Sequence, residues 1–436
     1  MTAAVSPPVL ILGAGLTGLS TAVHLRDRAL PYRLLERSAE VGGHARTREA
    51  QGFRFDLTGH VLHLRDETLR RRVLGWLGDD CLELERQSRV YSHGALTRYP
   101  FQSNAHGLPP RIAYDCVMGF LAARGAPPGP PPRSFAELCQ QRFGAGISEH
   151  FMIPYNERLW GVPAGELTAD WCGRFMPVPT VEQVIAGAVG LVSEEVGYNA
   201  RFLYPRRGIG ALAAALHREL GATAELGVAP SAVDLARREV HLPGGVARYE
   251  VLVSTIPLPA LVRLLVAPPP EIRAAAAALR ATPLRYLDVA VEAPARADHH
   301  WVYLPERRHP FYRVGCYSNL SPEMAPPGRS GYYVELVDRD PPALDALVPR
   351  VAAALRDLGF TRPTDAIAFV EPRLLEPAYV VHDRAHAATI ARLHGFLAEH
   401  GVVSAGRYGE WGYSSMEDAL ASGRDAARRA AEVLDA

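Results

Sequence analysis

The most constraining feature of this chain is a run of four apolar residues, Val9 to Leu12, that passes directly into Gly13-Ala-Gly15-Leu-Thr-Gly18. A short strand with no polar alternation is what a parallel sheet covered on both faces requires. The glycines stand in G-x-G-x-x-G spacing. Gly13 permits a tight turn, Gly15 lets backbone approach a pyrophosphate, and Gly18 lets the next helix pack closely on the strand. Leu16, Leu19, Val23 and Leu25 give that helix its buried side, and after the Leu30-Pro31 break a second strand, YRLLE, ends in Glu36. A carboxylate at that distance is placed to bond an adenosine ribose, with the phosphates resting on free N–H groups at the helix N-terminus. The expectation is a dinucleotide-binding βαβ unit.

A second glycine turn follows at once, in ERSAEVGGHARTRE, with Arg37, Gly42, Gly43, His44 and Arg46. A nicotinamide cofactor does not need it. It resembles the extension found in the FAD-binding amine oxidase and mutase superfamily, which implies that Arg46 lies beside phosphate or flavin. Near the other end, SAGRYGEWGYSSMEDALASG reads as strand, glycine loop and helix. The same resemblance implies that Gly406, Arg407, Met416 and Glu417 close over FAD. Glu417 and Asp418 fall in a first helical turn, where acidic residues also simply offset the helix dipole. The fold class expected is α/β: a discontinuous Rossmann-like FAD-binding domain with an inserted helical lobe and a β-sheet substrate lobe. Segments 1–105, 201–270 and 371–436 would form the FAD domain, 106–200 the helical lobe and 271–370 the sheet lobe. Helical periodicity is read from Glu67 to Leu84, and Ala126 to Arg133 reads as an exposed Pro-rich loop.

Composition narrows the function classes. At 436 residues the chain is long enough for two or three lobes. Lys+Arg and Asp+Glu both total 47, so no overall field holds it on nucleic acid or anionic lipid. Cys81, Cys116, Cys139, Cys172 and Cys316 are scattered with no CxxC pair, which argues against a disulfide framework or a metal site and for a reducing cytoplasm. The first residues lack a signal-peptide pattern, and no apolar run reaches about 18 residues. A cytoplasmic protein without a membrane span is expected.

Four further segments resemble the UDP-galactopyranose mutases, most closely the eukaryotic type. They are FRFDLTGHVLHL, with Gly59 and His60 on a loop facing the flavin; TRYPFQSN, with Tyr99, Phe101 and Gln102; FMIPYNERLWGVPAGEL, with Asn156 and Trp160; and FYRVGCYSNLSP, with Arg313, Tyr317 and Asn319. EPAYVVHD resembles a further tyrosine segment and adds Tyr379. The matches run from about residue 9 to 425.

The resemblance implies a redox-neutral reaction on a nucleotide sugar, in which N5 of reduced FAD attacks the anomeric carbon and expels the nucleoside diphosphate, the sugar ring reopens and recloses through another hydroxyl, and the diphosphate is recaptured. His60, Arg174, Arg313 and Tyr379 are the expected catalytic residues. Tyr99, Phe101, Gln102, Asn156, Trp160, Tyr317 and Asn319 are expected to bind substrate. The implied partners are a nucleotide sugar and a reductant for the flavin. Arg206 and Arg207 are a further pair expected near cofactor or substrate.

The chain departs from the mutase pattern at Phe175, where the family has an arginine and this chain carries Arg174 one position earlier. It departs again at Leu320 for a tyrosine and at Thr58 for a glycine. These departures weaken the case for UDP-galactose itself: a different nucleotide sugar, or a related non-mutase reaction, fits as well. The contrasting readings are an FAD oxidase or desaturase of the amine oxidase or protoporphyrinogen oxidase type, whose pocket should be apolar rather than arginine-lined, and a binding protein on the same scaffold, like the Rab GDP-dissociation inhibitors, which would purify colourless.

Overall fold

The structure, a computed structural model, describes residues 7–191, 200–337 and 342–435. Its nucleotide-binding half is a five-stranded, all-parallel sheet in the order Val402–Ser404, Val251–Ser254, Val9–Leu12, Tyr32–Glu36, Glu225–Leu226. The central strands Val9–Leu12 and Val251–Ser254 are buried on both faces, as their uninterrupted apolar sequence demands. Helix Leu16–Arg26 covers one face and packs on the C-terminal helix Met416–Leu434. Five strands drawn from distant parts of the chain make this region discontinuous, as expected of the fold class.

The second half is a seven-stranded mixed sheet, in the order Ile367–Val380, Ala281–Val291, Ser330–Leu336, Phe311–Cys316, Trp301–Tyr303, Ser88–Ser92, Ala95–Arg98. The hairpin Ser88–Arg98, expected with the nucleotide-binding elements, joins this sheet instead through a parallel pairing of Ser88 with Trp301. The helical lobe consists of Pro110–Gly125, Phe135–Ile147, Ile153–Trp160 and Val181–Ala188. It shares an aromatic core with the sheet, including Phe101, Phe143, Phe151, Tyr155, Trp160 and Tyr312.

The helix expected from Glu67 to Leu84 ends at Leu77 on Gly78, and Cys81–Glu85 forms a strand paired with Arg201–Pro205. CLELE alternates with the period of a strand, and the partner that selects that period lies about 120 residues away in the chain. No helix among the described residues is long and apolar enough to cross a membrane.

Candidate active site

The two glycine turns meet. Gly42 N–H donates to the Ala14 carbonyl at 2.8 Å, and Gly15 pairs with Gly42 in a parallel bridge. Gly13 has φ +97°, and a Cβ on Gly18 would lie 1.9 Å from the Gly13 carbonyl oxygen, so the turn closes only with glycine at both places. Gly15 is different: the nearest atom to a Cβ there would be Gly43 Cα at 3.9 Å, an ordinary contact. Gly15 caps its helix with no side-chain hydrogen bond, and the first turn carries no acidic residue. Its N–H groups and the helix dipole therefore favour an anion.

Glu36 accepts from Ala14 N–H and Ser38 N–H at 2.8 Å each, which fixes its carboxylate at the end of the second strand. Arg46 Nε and His60 Nδ1 are buried with no protein partner. Two apposed glycine turns, an uncapped helix and orphaned polar atoms beside them fit a dinucleotide cofactor. Gly406, at φ +78°, packs on Thr17 and donates its N–H to Ser422 at 2.8 Å, which brings the C-terminal glycine loop onto the same helix start. Met416 begins the last helix, and Arg37 is exposed beyond the second strand. Glu417 faces elsewhere: it accepts from the backbone N–H of Arg65 and, at 2.7 Å, of Asp66, and so ties the loop before Glu67–Leu77 to the C-terminal helix.

Beside the second glycine turn the structure brings His60, Arg313, Tyr379 and Arg407 together. Burial lowers the His60 pKa to about 4, with the charges of Arg407 and Arg313 adding to the effect. Burial also lowers His44 to about 3, followed by His60 and Arg407, and its Nδ1 lies 3.0 Å from Tyr408 Oη. Both imidazoles are therefore neutral near pH 7.

Arg313, on strand Phe311–Cys316, sits opposite the wholly buried Glu335 on strand Ser330–Leu336. Its Nε donates to Oε2 at 2.8 Å and its Nη2 to Oε1 at 2.5 Å. Burial opposes the Arg313 charge, and the Glu335 carboxylate more than offsets this, so the arginine pKa is raised. Arg407 lies over the rings of Tyr413, Tyr408 and Tyr379 at 5.0, 5.7 and 5.9 Å. It donates to the Ser414 and Ala378 carbonyls at 2.6 and 3.2 Å.

Tyr99 meets Tyr303 at a tilt, with centroids 5.1 Å apart, beneath the Arg86 guanidinium at 4.0 Å. Burial pushes the Tyr99 phenol up to about 12. Tyr155 links this corner to the Arg313 side, meeting Tyr303 at 5.2 Å and Phe151, which stacks on Phe101, at 5.4 Å. Gln102 is buried and donates to the Pro177 carbonyl at 3.2 Å.

Other expected pocket residues have protein partners. Trp160 is fully buried behind Tyr379, Tyr413 and Trp171, so it backs the wall. Asn156 bonds the Met152 carbonyl one turn back at 2.7 Å. Tyr317 donates to the Asp56 carbonyl at 2.8 Å, and Asn319 donates to the carbonyls of Ala297 and His299 at 2.8 and 2.7 Å. Arg206 and Arg207 bond Asp79 O and Glu323 on the surface. Arg174 falls in the short turn Asp170–Phe175, and its side chain lies outside the described residues. Sequence reasoning missed Arg86, Tyr155, Tyr303, Glu335 and Tyr413. Of these only Tyr155, inside the PYN segment, carried a local signal.

A discontinuous Rossmann-like region with two apposed glycine turns, beside a cluster of arginines and phenols, defines the class as a flavin-binding enzyme fold. The chain belongs to the flavin containing amine oxidoreductase family, whose model matches residues 16–431. It is similar to the crystal structure of reduced UDP-galactopyranose mutase at 25% identity and TM-score 0.91, over 98% of this chain and 96% of that one. It shares its fold with a putative protoporphyrinogen oxidase from Exiguobacterium sp. 255-15 (16% identity, TM-score 0.74, all of both chains). It also shares the fold with putrescine oxidase bound to putrescine (16% identity, TM-score 0.66, 99% of this chain and 100% of that one).

Proposed function

We propose that this protein is a flavin-dependent nucleotide-sugar mutase that interconverts pyranose and furanose forms of a sugar carried on a nucleoside diphosphate. The observation that carries the reading is the convergence of Arg313 and Arg407 on His60 among the phenols of Tyr379, Tyr333 and Tyr413. Arg313 keeps Nη1 outside its pair with Glu335, and a guanidinium N–H so placed suits a phosphate oxygen, whereas an amine or an alkene would gain nothing from two arginines beside it. The likeness to the reduced mutase supports the same choice.

Gly13, Gly15, Gly18, Glu36, Gly43 and Gly406 would hold FAD, which when bound and reduced would supply a nucleophilic nitrogen for the anomeric carbon. The chain's own residues do the rest. Arg313 and Tyr379 neutralise the diphosphate as its bond to the anomeric carbon breaks, and keep it in place until that bond reforms. Tyr99, half-buried at the head of the YPFQ segment, receives the nucleotide base, while Phe101 and Gln102 are buried and hold the segment in place. Neutral His60 adds no further cation at the flavin face and offers a hydrogen-bonding nitrogen there. Trp160 and Tyr413 exclude water behind the sugar.

The test is anaerobic incubation of the dithionite-reduced holoenzyme with a panel of nucleotide sugars, followed by NMR of the anomeric protons. A furanose product formed by reduced and not by oxidised enzyme is the expected result. No conversion, together with amine-dependent O₂ consumption, would move the assignment to an oxidase.

A further inference from the structure

We propose that Thr58 is a positioning residue that holds Arg313 in its ligand-facing geometry through Glu335. Thr58 stands where the resembled family has glycine, and its backbone keeps the glycine conformation, with φ +66°. That conformation is strained for a β-branched residue. The hydroxyl is committed on both sides. Gly59 N–H donates to Thr58 Oγ1 at 2.6 Å, and Oγ1 donates its single proton to Glu335 Oε1. Glu335 therefore accepts from Arg313 Nε, Arg313 Nη2 and Thr58 Oγ1, with no exposed surface through which water could substitute.

Without the hydroxyl, Oε1 keeps only the Arg313 bond, and the carboxylate gains freedom to rotate and carry the guanidinium with it. With it, the fork is locked and Nη1, which takes no part in the pair, is held in one direction. Thr58 is also two residues from His60, so one hydroxyl ties the flavin-side loop to the arginine assigned to the anion. The strained backbone at Thr58 and the buried carboxylate thus serve one arrangement.

That Arg313 meets a diphosphate rests on the proposed function; that Thr58 orders Arg313 does not. The experiment uses the flavin-loaded full chain and four proteins: wild type, Thr58→Ser, Thr58→Val and Thr58→Gly. Two quantities are read: hydrogen exchange of the Arg313 Nε–H NMR signal, assigned by its loss in Arg313→Lys, and the Kd for UDP. Loss of a hydrogen bond to a buried carboxylate should speed Arg313 exchange about tenfold in the Val and Gly variants and weaken UDP by about the same factor, with Ser near wild type. The Gly variant relieves the backbone strain, so it should lose UDP affinity without losing thermal stability, a combination that a purely structural role does not produce. Equal Arg313 exchange in all four proteins overturns the proposal, as does faster exchange with unchanged UDP affinity. If the wild type binds neither UDP nor another nucleoside diphosphate, the mutase reading falls, and the exchange comparison alone decides the role of Thr58.

Discussion

Arg313 and Glu335 face each other across neighbouring strands, and the carboxylate has no water to fall back on. Arg313→Ala would leave Glu335 with only Thr58, and stranding one partner of a buried pair costs about 3–5 kcal/mol. Urea unfolding should show that loss, and Arg313→Ala combined with Glu335→Gln should recover most of it. Equal stabilities of the single and double variants would mean that the pair is not coupled. Arg313 was legible in the sequence because it stands in a recognisable string, FYRVGCYSNLSP. Glu335 was not, because in GYYVELV it looks like any strand residue, and only the register that sets it opposite Arg313 gives it a role. Asn319 and Tyr317 show the converse. The string that singled them out as ligands for a substrate is satisfied here by bonds to backbone carbonyls that hold the loop.

At the scale of elements, the two glycine turns were legible because each position has a steric reason to be glycine, and sterics are local. The strand Cys81–Glu85 was misjudged because its short alternation followed directly on a helical run and the partner strand that selects it is remote in the chain. The glycine turns also make a separable prediction. Gly18→Ala places a methyl 1.9 Å from the Gly13 carbonyl and should destabilise the fold itself. Gly15→Ala should not: Gly15 has φ −71° and the nearest atom lies 3.9 Å away, so alanine fits the apoprotein. Its methyl would stand at the helix start, where backbone must approach a pyrophosphate closely. The Gly15→Ala protein is therefore expected to purify pale, with little absorbance near 450 nm, yet to melt as apoprotein within about 1 kcal/mol of the wild-type apoprotein. A yellow Gly15→Ala protein with full flavin content would place the phosphates elsewhere.

For the whole molecule, burial has set titrating groups against one another. It lowers His44 and His382 to about 3 and His60, His63 and His300 to about 4, while it raises Asp56 to about 7 and Asp288 to about 6. The signs are opposite in effect. A depressed histidine contributes stability that is present above its unfolded pKa, about 6.5, and lost as pH falls towards its folded value. A raised aspartate contributes stability that is present below its unfolded pKa and lost as pH rises through its folded value. Near pH 5 the unfolded chain holds five extra histidine protons and the folded chain two extra aspartate protons. For these seven groups the net of three gives a slope of about 4 kcal/mol per pH unit as acid is added, and the lowered His24, His150, His299, His309 and His394 act in the same direction. Acid loss therefore outweighs alkaline loss in the window from about 6.5 down to 4. His382 is the cleanest probe, because it packs against Trp160, Trp171 and His386 with its Nε2 making no hydrogen bond. His382→Phe should remove one proton from the difference and flatten the slope by about 1.4 kcal/mol per unit, read from urea unfolding at pH 7.5, 6 and 5. Parallel curves for the two proteins would show that His382 is already protonated in the fold, and that the aromatic wall behind Tyr379 is wetter than its burial implies.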